Sequence, residues 1–397
     1  METQPDAGSW MEVLPHLDPS YGGLCAVVPR MATELTLQQG MQVQIAAFCG
    51  PEEEHLAMGR ADISTWPLAR SAWAKDTAGQ QRFQVAVEGS RGLHIHGLWD
   101  NSTRVAAAAA RRSGLPYVLS AHGMLERWAL RNKRVKKAIY AVLVERKNVQ
   151  KAACLHALTR AEAEDYRRFG AKNPIAIVPN GIESSPVSAP EHFLNAFPQA
   201  KGKRLVLFLG RLHYKKGVDL LVKAWAEIAG QLPDALLVLA GPDSEGTLAK
   251  VTETITRAGV QDQVLITGML TGPMKWSALA AAECFVLPSY SEGLSVAVLE
   301  AMSMGLPLIL SHECNLPQVE EQGAGWLVPT EVQPLAAAIL TALLSSSDQH
   351  LKMKNSAKSL AAREFSWNTV AARMAGIYRW VSGGPIPVDV EFYPEAE

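Results

Sequence analysis

The sequence predicts an α/β protein with two doubly wound Rossmann-like domains that face a central cleft. Short apolar runs alternate with longer helical patterns, which favours parallel sheets covered by helices. At 397 residues the chain also exceeds the size at which single hydrophobic cores stop growing. Ligands of such domains bind at the carboxyl ends of the strands, so the cleft between the domains is the expected active site.

The first domain is predicted over residues 1–182. The runs WMEVLP and MQVQIAAF flank a helical stretch at 24–39, which makes a first strand-helix-strand unit. Further strand candidates in this half are GLHIHG, PYVLSAHG, CLHALT and IAIVPNG. Residues 183–203 are rich in Pro, Ser and Ala without a sustained period, which predicts an interdomain linker.

The second domain is predicted over residues 204–365, where the same alternation begins again. Its strand candidates are RLVLFLG, ALLVLAG, QVLITG, ECFVLPS and LPLILS. From about residue 331 the pattern is purely helical, and a helix at 366–382 is predicted to cross back to the first domain. Residues 383–397 are predicted to form a flexible tail.

Composition and charge describe an ordinary globular protein. Hydrophobic residues make up 48% and charged residues 19%, which excludes a disordered chain. Residues 1–180 hold 22 Lys and Arg against 17 Asp and Glu, whereas the remainder holds 16 against 22. The first half therefore favours an anionic partner, while the balanced total and the lack of a recognised module argue against nucleic acid.

Cysteine spacing and hydropathy predict a cytoplasmic protein. The five cysteines form no CxxC pair and lie mostly in apolar surroundings, as buried thiols of a reducing compartment do. The N-terminal METQPDAGSW lacks the basic and apolar regions of a signal peptide, and no apolar run reaches the roughly 20 residues that span a bilayer.

A basic loop follows the first strand of the second domain. In LGRLHYKKG, Arg211, Lys215 and Lys216 lie between Gly210 and Gly217. A guanidinium and an ammonium in one strand-end loop can hold a diphosphate, the first through its fork geometry and the second as a point charge. A solvated basic loop is the alternative interpretation.

Two glutamates occur in PSYSEGLSVAVLEAM, which has the form strand, turn, helix. Its glycine and serines allow backbone N–H groups to converge at a helix N-terminus, which favours a phosphate. If the helix begins near Leu294 or Ser295, Glu300 lies in its second turn and Glu292 lies in the preceding turn. Both glutamates have ordinary alternatives, as a face residue and as a cap.

These motifs together resemble the family-4 (group 1) retaining glycosyltransferases of GT-B architecture. GRLHYKKG and SEGLSVAVLEAMSMGLPLI match the Arg/Lys pair and the E-x7-E pair of that family, in the same order. VLPHLDPSYGGLCAVV resembles its first-strand glycine loop, and IVPNGI resembles the close of its first domain. FSWNTVAARMAGIYRWV resembles its final crossover helix, so the likeness spans nearly the whole chain.

The resemblance implies a donor site in the second domain and an acceptor site in the first. Arg211 and Lys216 would stabilise the diphosphate leaving group of a nucleotide sugar, and Glu300 would bind the ribose. Glu292 would face the donor sugar together with the backbone of Gly293, Leu294 and Ser295. The family often has Phe-Gly where this chain has Leu294–Ser295, so the sugar stays open, as does the choice of UDP, GDP or ADP.

Three glycines are further candidates on the donor side. Gly268 ends the run QVLITG, and Gly22 and Gly23 form the glycine loop. Glycines allow backbone amides to approach a phosphate or an acceptor closely. Two turn glycines that open a helix are the alternative interpretation of Gly22 and Gly23.

The acceptor side has histidine candidates at strand ends. His122 in SAHGMLERWAL follows a strand, and the family commonly carries a histidine near the reacting sugar at this point. His122 is therefore assigned to the catalytic set with Arg211, Lys216 and Glu292, although a structural histidine is the alternative. His96, Trp99 and Arg127 are the other acceptor-side candidates, whereas His94 is expected in the core.

A basic segment at residues 126–151 contains nine Lys and Arg against two Glu, with apolar and aromatic residues between them. Such a segment in the acceptor domain suits docking on an anionic membrane and a lipid-linked acceptor. A helix packed on the sheet with a solvated basic face is the alternative.

The leading hypothesis is a retaining glycosyltransferase that moves a sugar onto a hydroxyl of a carbohydrate or lipid-linked acceptor, in polysaccharide, lipopolysaccharide or glycolipid assembly. No D-x-D motif is found in a strand-end loop, so no metal is expected, and no cofactor is expected either. No candidate for a covalent nucleophile is found in the sequence. The alternatives are another GT-B enzyme, such as a phosphorylase or an epimerase, and a catalytically silent binding partner.

Overall fold

The computed structural model describes residues 8–18, 23–48, 62–66, 77–126, 139–183 and 188–394. The chain divides into two compact units. One comprises Met1–Gly181 with Trp367–Glu397, and the other comprises Ile182–Ser366. Within the described residues, no helix has both the length and the apolar character needed to cross a membrane.

The strands follow the predicted apolar runs, with three additions. In chain order they are β1 (Ser9–Leu14), β2 (Val43–Ala47), β3 (Ile63–Thr65), β4 (Ser90–His96), β5 (Tyr117–Ser120), β6 (Cys154–Ala157), β7 (Ile175–Ile177), β8 (Arg204–Leu209), β9 (Ala235–Ala240), β10 (Val264–Gly268), β11 (Ala282–Leu287), β12 (Leu308–Ser311), β13 (Gly325–Val328) and β14 (Glu391–Tyr393). The sequence did not predict β3, β13 and β14, which have only three or four residues each.

The helices cover the sheets, as expected for crossovers between parallel strands. In the described residues they are α1 (Leu24–Gln39), α2 (Thr77–Val87), α3 (Asn101–Arg112), α4 (Arg146–Gln150), α5 (Arg160–Phe169), α6 (Glu191–Ala196), α7 (Val218–Ile228), α8 (Thr247–Ala258), α9 (Gly272–Ala281), α10 (Val296–Ser303), α11 (Gln318–Glu321), α12 (Val332–Leu344), α13 (Ser347–Glu364) and α14 (Trp367–Val381). A π-helix at Ala141–Glu145 leads directly into α4.

Each unit contains one doubly wound sheet. The first has the strand order β14-β7-β6-β5-β4-β1-β2-β3, and the second has the order β10-β9-β8-β11-β12-β13. All pairs are parallel except that of β14 with β7. The winding direction reverses between β1 and β4 in the first sheet and between β8 and β11 in the second. Ligands of open α/β sheets bind at such switch points.

Helix α14 packs on the first unit, as predicted for the crossover helix. It lies against α1, and its Tyr378 stacks on Trp10 of β1 with ring centroids 4.0 Å apart and planes 8° apart. Both side chains are buried. The end of the chain thereby covers one face of the first sheet.

The prediction of a flexible tail at 383–397 needs correction, because part of this segment forms β14. Glu391–Tyr393 pairs antiparallel with the outer strand β7, and Glu391 forms an ion pair of 2.7 Å with Arg160. An unpaired edge strand offers a row of backbone donors and acceptors, which this segment satisfies. Because glycines and prolines precede this three-residue strand, the sequence pattern did not predict it.

The linker expected at 183–203 is also more ordered than predicted. It contains α6, and Phe193 of this helix is completely buried in the second unit. The Phe193 N–H donates a hydrogen bond of 2.8 Å to Ser277 Oγ. One buried aromatic ring is enough to dock a short helix whose sequence has no sustained period.

Candidate active site

The loop that follows β8 is held against the loop that follows β11 at the switch point of the second sheet. Gly217 has φ +67°, and a Cβ atom there would lie 2.0 Å from the carbonyl oxygen of Pro288. Only glycine fits this approach, since both the positive φ and the contact exclude a side chain. The Tyr290 N–H also donates to the Lys215 carbonyl at 2.8 Å. The two loops are therefore fastened together through their backbones.

This contact brings Lys216 to Glu292. Lys216 Nζ lies 2.5 Å from Glu292 Oε1, and Ser289 Oγ donates to the same oxygen at 2.7 Å. The side chains of Lys216 and Glu292 are only 19% and 10% exposed, so the pair is shielded from solvent on most sides. Asn315 Nδ2 donates to the Glu292 carbonyl at 2.7 Å and fixes the turn. The structure thus joins two of the four predicted catalytic residues.

Helix α10 begins just beyond Glu292, and Ser295 is its N-cap residue. The predicted start near Leu294 or Ser295 is correct to within two residues. Glu300 is buried in the second turn of the helix, as predicted, and its Oε1 lies 2.5 Å from Nζ of Lys275. Lys275 belongs to α9, the helix that follows β10. It supplies the counter-charge to Glu300, the residue predicted to bind the ribose.

Arg211 occupies the same β8 loop but differs from Lys216. It is exposed, and no ion pair or side-chain hydrogen bond of its guanidinium is found in the described part of the chain. Its five N–H donors are thus available to an anion. Gly268 has φ +72°, a backbone conformation that favours glycine, and a Cβ at this position would meet open space.

In the first unit, the buried Glu12 and His96 and the partly exposed His122 form one chain of hydrogen bonds at the switch point. His96 Nε2 lies 2.6 Å from Glu12 Oε2, and His96 Nδ1 lies 2.9 Å from His122 Nε2. Burial lowers the pKa of His96 to about 4 and the pKa of His122 well below its ordinary value. Burial would raise the pKa of Glu12, but His94 and His96 lower it well below the usual range.

A second branch leaves Glu12 through its other oxygen. Tyr378 of α14 donates to Glu12 Oε1 at 2.6 Å and lies 2.5 Å from His94 Nδ1. His94 Nε2 lies 2.6 Å from Ser120 Oγ, which lies 2.6 Å from His156 Nδ1. His156 Nε2 ends the branch at the Val178 carbonyl, 2.7 Å away. His94 is in the core, as predicted, and His96 is equally buried with both ring nitrogens engaged by protein groups.

Two more buried carboxylates hold the loops that follow β4 and β5. Trp99 has φ +72°, and its N–H donates to Glu145 Oε1 at 2.7 Å. His122 has φ +51°, and the N–H of the next residue, Gly123, donates to Glu162 Oε1 at 2.7 Å. Burial raises the pKa of both Glu145 and Glu162 to about 7. A positive φ is strained for tryptophan and histidine, so these bonds maintain two unfavourable backbone conformations.

Glu12, His94 and His96 are also the one group in the described residues with the residue types and proximity of a metal site, since their ligand atoms lie within 4.8 Å of one another. Two ligands of one zinc ion, each about 2.0–2.1 Å from the metal, are separated by roughly 3.3 Å. The 2.6 Å between Glu12 and His96 is instead a hydrogen-bond distance. Glu12 Oε2 also lies 3.3 Å from His94 Nδ1, and in this structure the group is joined as a hydrogen-bonded network.

Two predicted residues, Gly22 and Arg127, lie outside the described residues, as does most of the basic part of segment 126–151. Gly23 precedes α1 with φ −61°, and a Cβ at this position would meet open space. The fold therefore does not itself require a glycine at position 23.

Comparison with known proteins assigns this arrangement to a family. Residues 191–360 match the family described as "Glycosyl transferases group 1", and residues 22–181 match the "Glycosyl transferase 4-like domain". The D-inositol 3-phosphate glycosyltransferase of Xylanimonas cellulosilytica is 30% identical over 288 residues, which cover 68% of this chain and 67% of that protein. The chain belongs to the family-4 (group 1) glycosyltransferases.

Other glycosyltransferases resemble the chain over most of its length. The GDP-mannose:cellobiosyl-diphosphopolyprenol alpha-mannosyltransferase of Xanthomonas campestris is 23% identical over 386 residues, covering 94% of this chain and 97% of that protein. The crystal structure of HepE from Anabaena in complex with UDP has a TM-score of 0.75 at 18% identity, covering 92% of this chain and 98% of that one. The predicted fold class, two Rossmann-like domains of GT-B type, is thus confirmed.

Sequence reasoning about this glycosyltransferase missed four charged groups, of which Glu12, Glu145 and Glu162 are buried and Lys275 is partly exposed. Lys275 lies in helix α9, after β10, where no strand-end pattern marks it. Glu12 was visible as a carboxylate inside an apolar strand, which is unusual for a buried position. Glu145 and Glu162 lie in helical segments with ordinary charge patterns, and no sequence signal separates them from solvated residues.

Proposed function

We propose that this glycosyltransferase moves a sugar, with retention of its anomeric configuration, from a nucleoside diphosphate to a hydroxyl acceptor. The observation that carries the proposal is the shielded Lys216–Glu292 pair beside the exposed Arg211, at the switch point of the second sheet. This is the point at which open α/β sheets bind nucleotides, and two cations there match a diphosphate.

The two cations act on the leaving group. Cleavage of the bond between the anomeric carbon and the diphosphate builds negative charge on the departing oxygen. Lys216 is already oriented by Glu292, so it needs little reorganisation when that charge appears. Arg211 adds a second set of donors. The acceptor hydroxyl attacks from the face of the leaving phosphate, which receives the hydroxyl proton, and no covalent intermediate with the protein is formed.

The two glutamates bind different parts of the donor. Glu300 accepts hydrogen bonds from the ribose hydroxyls, and Lys275 keeps its carboxylate oriented. Glu292 and the backbone of Gly293, Leu294 and Ser295 face the sugar. The Glu292 carboxylate already accepts hydrogen bonds from Lys216 and Ser289, which supports a binding role and not a nucleophilic one.

The donor nucleotide is UDP, GDP or ADP, and the acceptor is a carbohydrate or a lipid-linked sugar. HepE was solved with UDP, and the Xanthomonas relative is named for GDP-mannose and a diphosphopolyprenol acceptor. The diphosphopolyprenol acceptor in the name of the Xanthomonas relative supports a place in polysaccharide, lipopolysaccharide or glycolipid assembly. His122 is proposed to contact the transferred sugar from the first unit.

A panel of nucleotide sugars tests the donor assignment. Thermal shift and slow donor hydrolysis, both measured without added metal, are expected to identify one nucleotide sugar. Activity should survive chelation with EDTA, because Arg211 and Lys216 supply the positive charge that a metal would otherwise provide. Proton NMR of the product should show the anomeric configuration of the donor. A panel with no response, or an inverted product, would contradict the proposal.

The same panel separates the alternatives. A phosphorylase would release sugar phosphate only when inorganic phosphate is added, and an epimerase would convert one nucleotide sugar into another without an acceptor. A silent partner would bind a donor without turning it over. Intact Arg211, Lys216, Glu292 and Glu300 favour the transferase.

We further propose that the helical segment 139–151 docks on an anionic membrane surface. Ile139, Val142 and Leu143 are 53%, 62% and 63% exposed, although they are apolar. Their spacing of three and four residues continues through exposed Arg146, Lys147 and Lys151, so apolar and basic side chains share one helical face. That combination suits the boundary between lipid headgroups and acyl chains.

Flotation with liposomes tests the membrane proposal. The protein should float with phosphatidylglycerol vesicles at low salt and not with pure phosphatidylcholine. Replacing Val142 and Leu143 together by aspartate should abolish flotation, because it removes the apolar contact and repels the lipid. Val85→Asp is the matched control, since Val85 is 68% exposed on α2 of the same unit. Equal loss with the control would count against the assigned face.

A further inference from the structure

We propose that Glu12 and His96 are positioning residues that hold the His122 ring with its Nε2 protonated and its Nδ1 as a hydrogen-bond acceptor. The inference rests on the proposed role of His122 at the transferred sugar and deepens it. A neutral imidazole presents either a donor or an acceptor at a given nitrogen, so the tautomer decides which sugar hydroxyl or proton it can engage.

The first step follows from the Glu12–His96–His122 branch. An ionised carboxylate only accepts hydrogen bonds, so His96 Nε2 must donate to Glu12 Oε2 across the 2.6 Å contact. Neutral His96 is then left with an acceptor at Nδ1. His122 Nε2, 2.9 Å away, must therefore donate, and His122 Nδ1 remains an acceptor. No hydrogen bond to Nδ1 is found within the described residues, and the ring is partly exposed.

The hydrogen bonds of the second branch independently require that Glu12 Oε2 accepts from His96. Five hydrogen bonds connect Glu12 Oε1 to the Val178 carbonyl through Tyr378, His94, Ser120 and His156. The four groups between these ends supply four protons when neutral, so the branch needs one more. Because Tyr378 donates to Glu12 Oε1, that proton lies on an imidazole of the branch. It cannot lie on Oε2 without leaving the branch one proton short, so Oε2 accepts.

Other contacts keep the His122 ring from turning. The rings of His96 and His122 stack with centroids 5.2 Å apart and planes 26° apart. The Glu162 carboxylate holds the N–H of Gly123, the residue that follows His122. The network therefore orients His122 through both its ring and its backbone. Glu12 sets the tautomer of His122 from β1, which lies two positions away from β5 in the sheet.

The test measures the tautomer directly in the full-length protein without a substrate. Long-range proton–nitrogen NMR of protein with ¹⁵N-labelled histidine should show His122 with the proton on Nε2, its signals being assigned by their loss in His122→Gln. Glu12→Met, which removes the acceptor, should release this tautomer into a mixture. Glu12→Gln should restore it, since the amide can place its oxygen at the Oε2 position and supply the missing proton to Tyr378.

Kinetics with the donor and acceptor provide the second readout. Glu12→Met is expected to lower kcat by about 10- to 100-fold, the range for residues that orient a functional group, with KM for the donor nearly unchanged. Tyr378→Phe is the matched control, because it removes one hydrogen bond from Glu12 but leaves the acceptor for His96. It should lower stability without changing the His122 tautomer or kcat.

Two results would overturn the inference: a wild-type His122 with its proton on Nδ1, or Glu12→Met with unchanged kcat. The NMR result on the wild-type protein decides the question even if Glu12→Met fails to fold. A confirmed tautomer in a protein that uses no nucleotide sugar would instead remove the proposed function, so the two failures are distinguishable.

Discussion

Lys216→Met should lower kcat/KM for the nucleotide-sugar donor by about 10²–10³-fold, or roughly 2.7–4 kcal/mol of transition-state stabilisation. Methionine keeps most of the length and packing of the side chain but removes the charge that faces the departing diphosphate. The loss should appear mainly in kcat, because charge on the leaving oxygen develops in the transition state. Steady-state kinetics with the donor identified by the panel would measure it.

The control for Lys216→Met is Lys223→Met. Lys223 lies in helix α7, which follows the Lys216 loop in the same unit. Lys223 is exposed and forms only a 3.5 Å surface pair with Asp219. Such pairs contribute little to stability, so this variant should match the wild type. Equal activity of the Lys216 and Lys223 variants would remove Lys216 from the catalytic set. A thermal melt of each variant separates lost chemistry from lost folding, since Lys216→Met also leaves Glu292 without its partner.

The sequence predicted the parts of the site that depend on sheet topology. Parallel strands end at one edge, so cations after one strand and carboxylates after another must approach each other when those strands are neighbours. Lys216 and Glu292 illustrate this, because they are 76 residues apart and form an ion pair. His96 and His122, at the ends of β4 and β5, meet for the same reason.

The partners of Glu300 and Glu12 could not be predicted in the same way. Lys275 reaches Glu300 from a helix, where the direction of a side chain depends on packing and not on a strand end. Glu12 contacts Tyr378, which lies 366 residues further along the chain. No local pattern encodes such a pair. It forms because a buried carboxylate requires hydrogen-bond donors and the crossover helix brings one.

Carboxylates with fixed partners occur in both units, but their partners differ. In the second unit, Glu292 and Glu300 of the motif each have a lysine partner, so the charge of both carboxylates is compensated. In the first unit, buried carboxylates hold backbone N–H groups and imidazoles in fixed directions. We therefore propose that charge in the second unit acts on the ligand, whereas charge in the first unit holds the protein's own loops.

Glu162→Gln should change the pH dependence of stability between roughly pH 5.5 and pH 8. Burial raises the pKa of Glu162 from its ordinary 4.5 to about 7, so between these values the folded protein binds a proton that the unfolded chain does not. Its contribution to stability is therefore complete below pH 4.5 and is lost as the pH rises through about 7. Glutamine cannot ionise and removes this loss.

The free energy of unfolding of Glu162→Gln, relative to the wild type, should thus rise by about 2 kcal/mol between roughly pH 5.5 and pH 8. The absolute stability of the variant should be lower at acidic pH, since an amide cannot accept from both the Gly123 and Leu158 N–H groups. Urea titrations at several pH values measure both. The buried histidines titrate in the opposite direction, but their contribution cancels in the difference. Glu164→Gln, an exposed neighbour on α5, should show no such trend, and a flat difference for Glu162→Gln would mean that its carboxylate is already ionised at acidic pH.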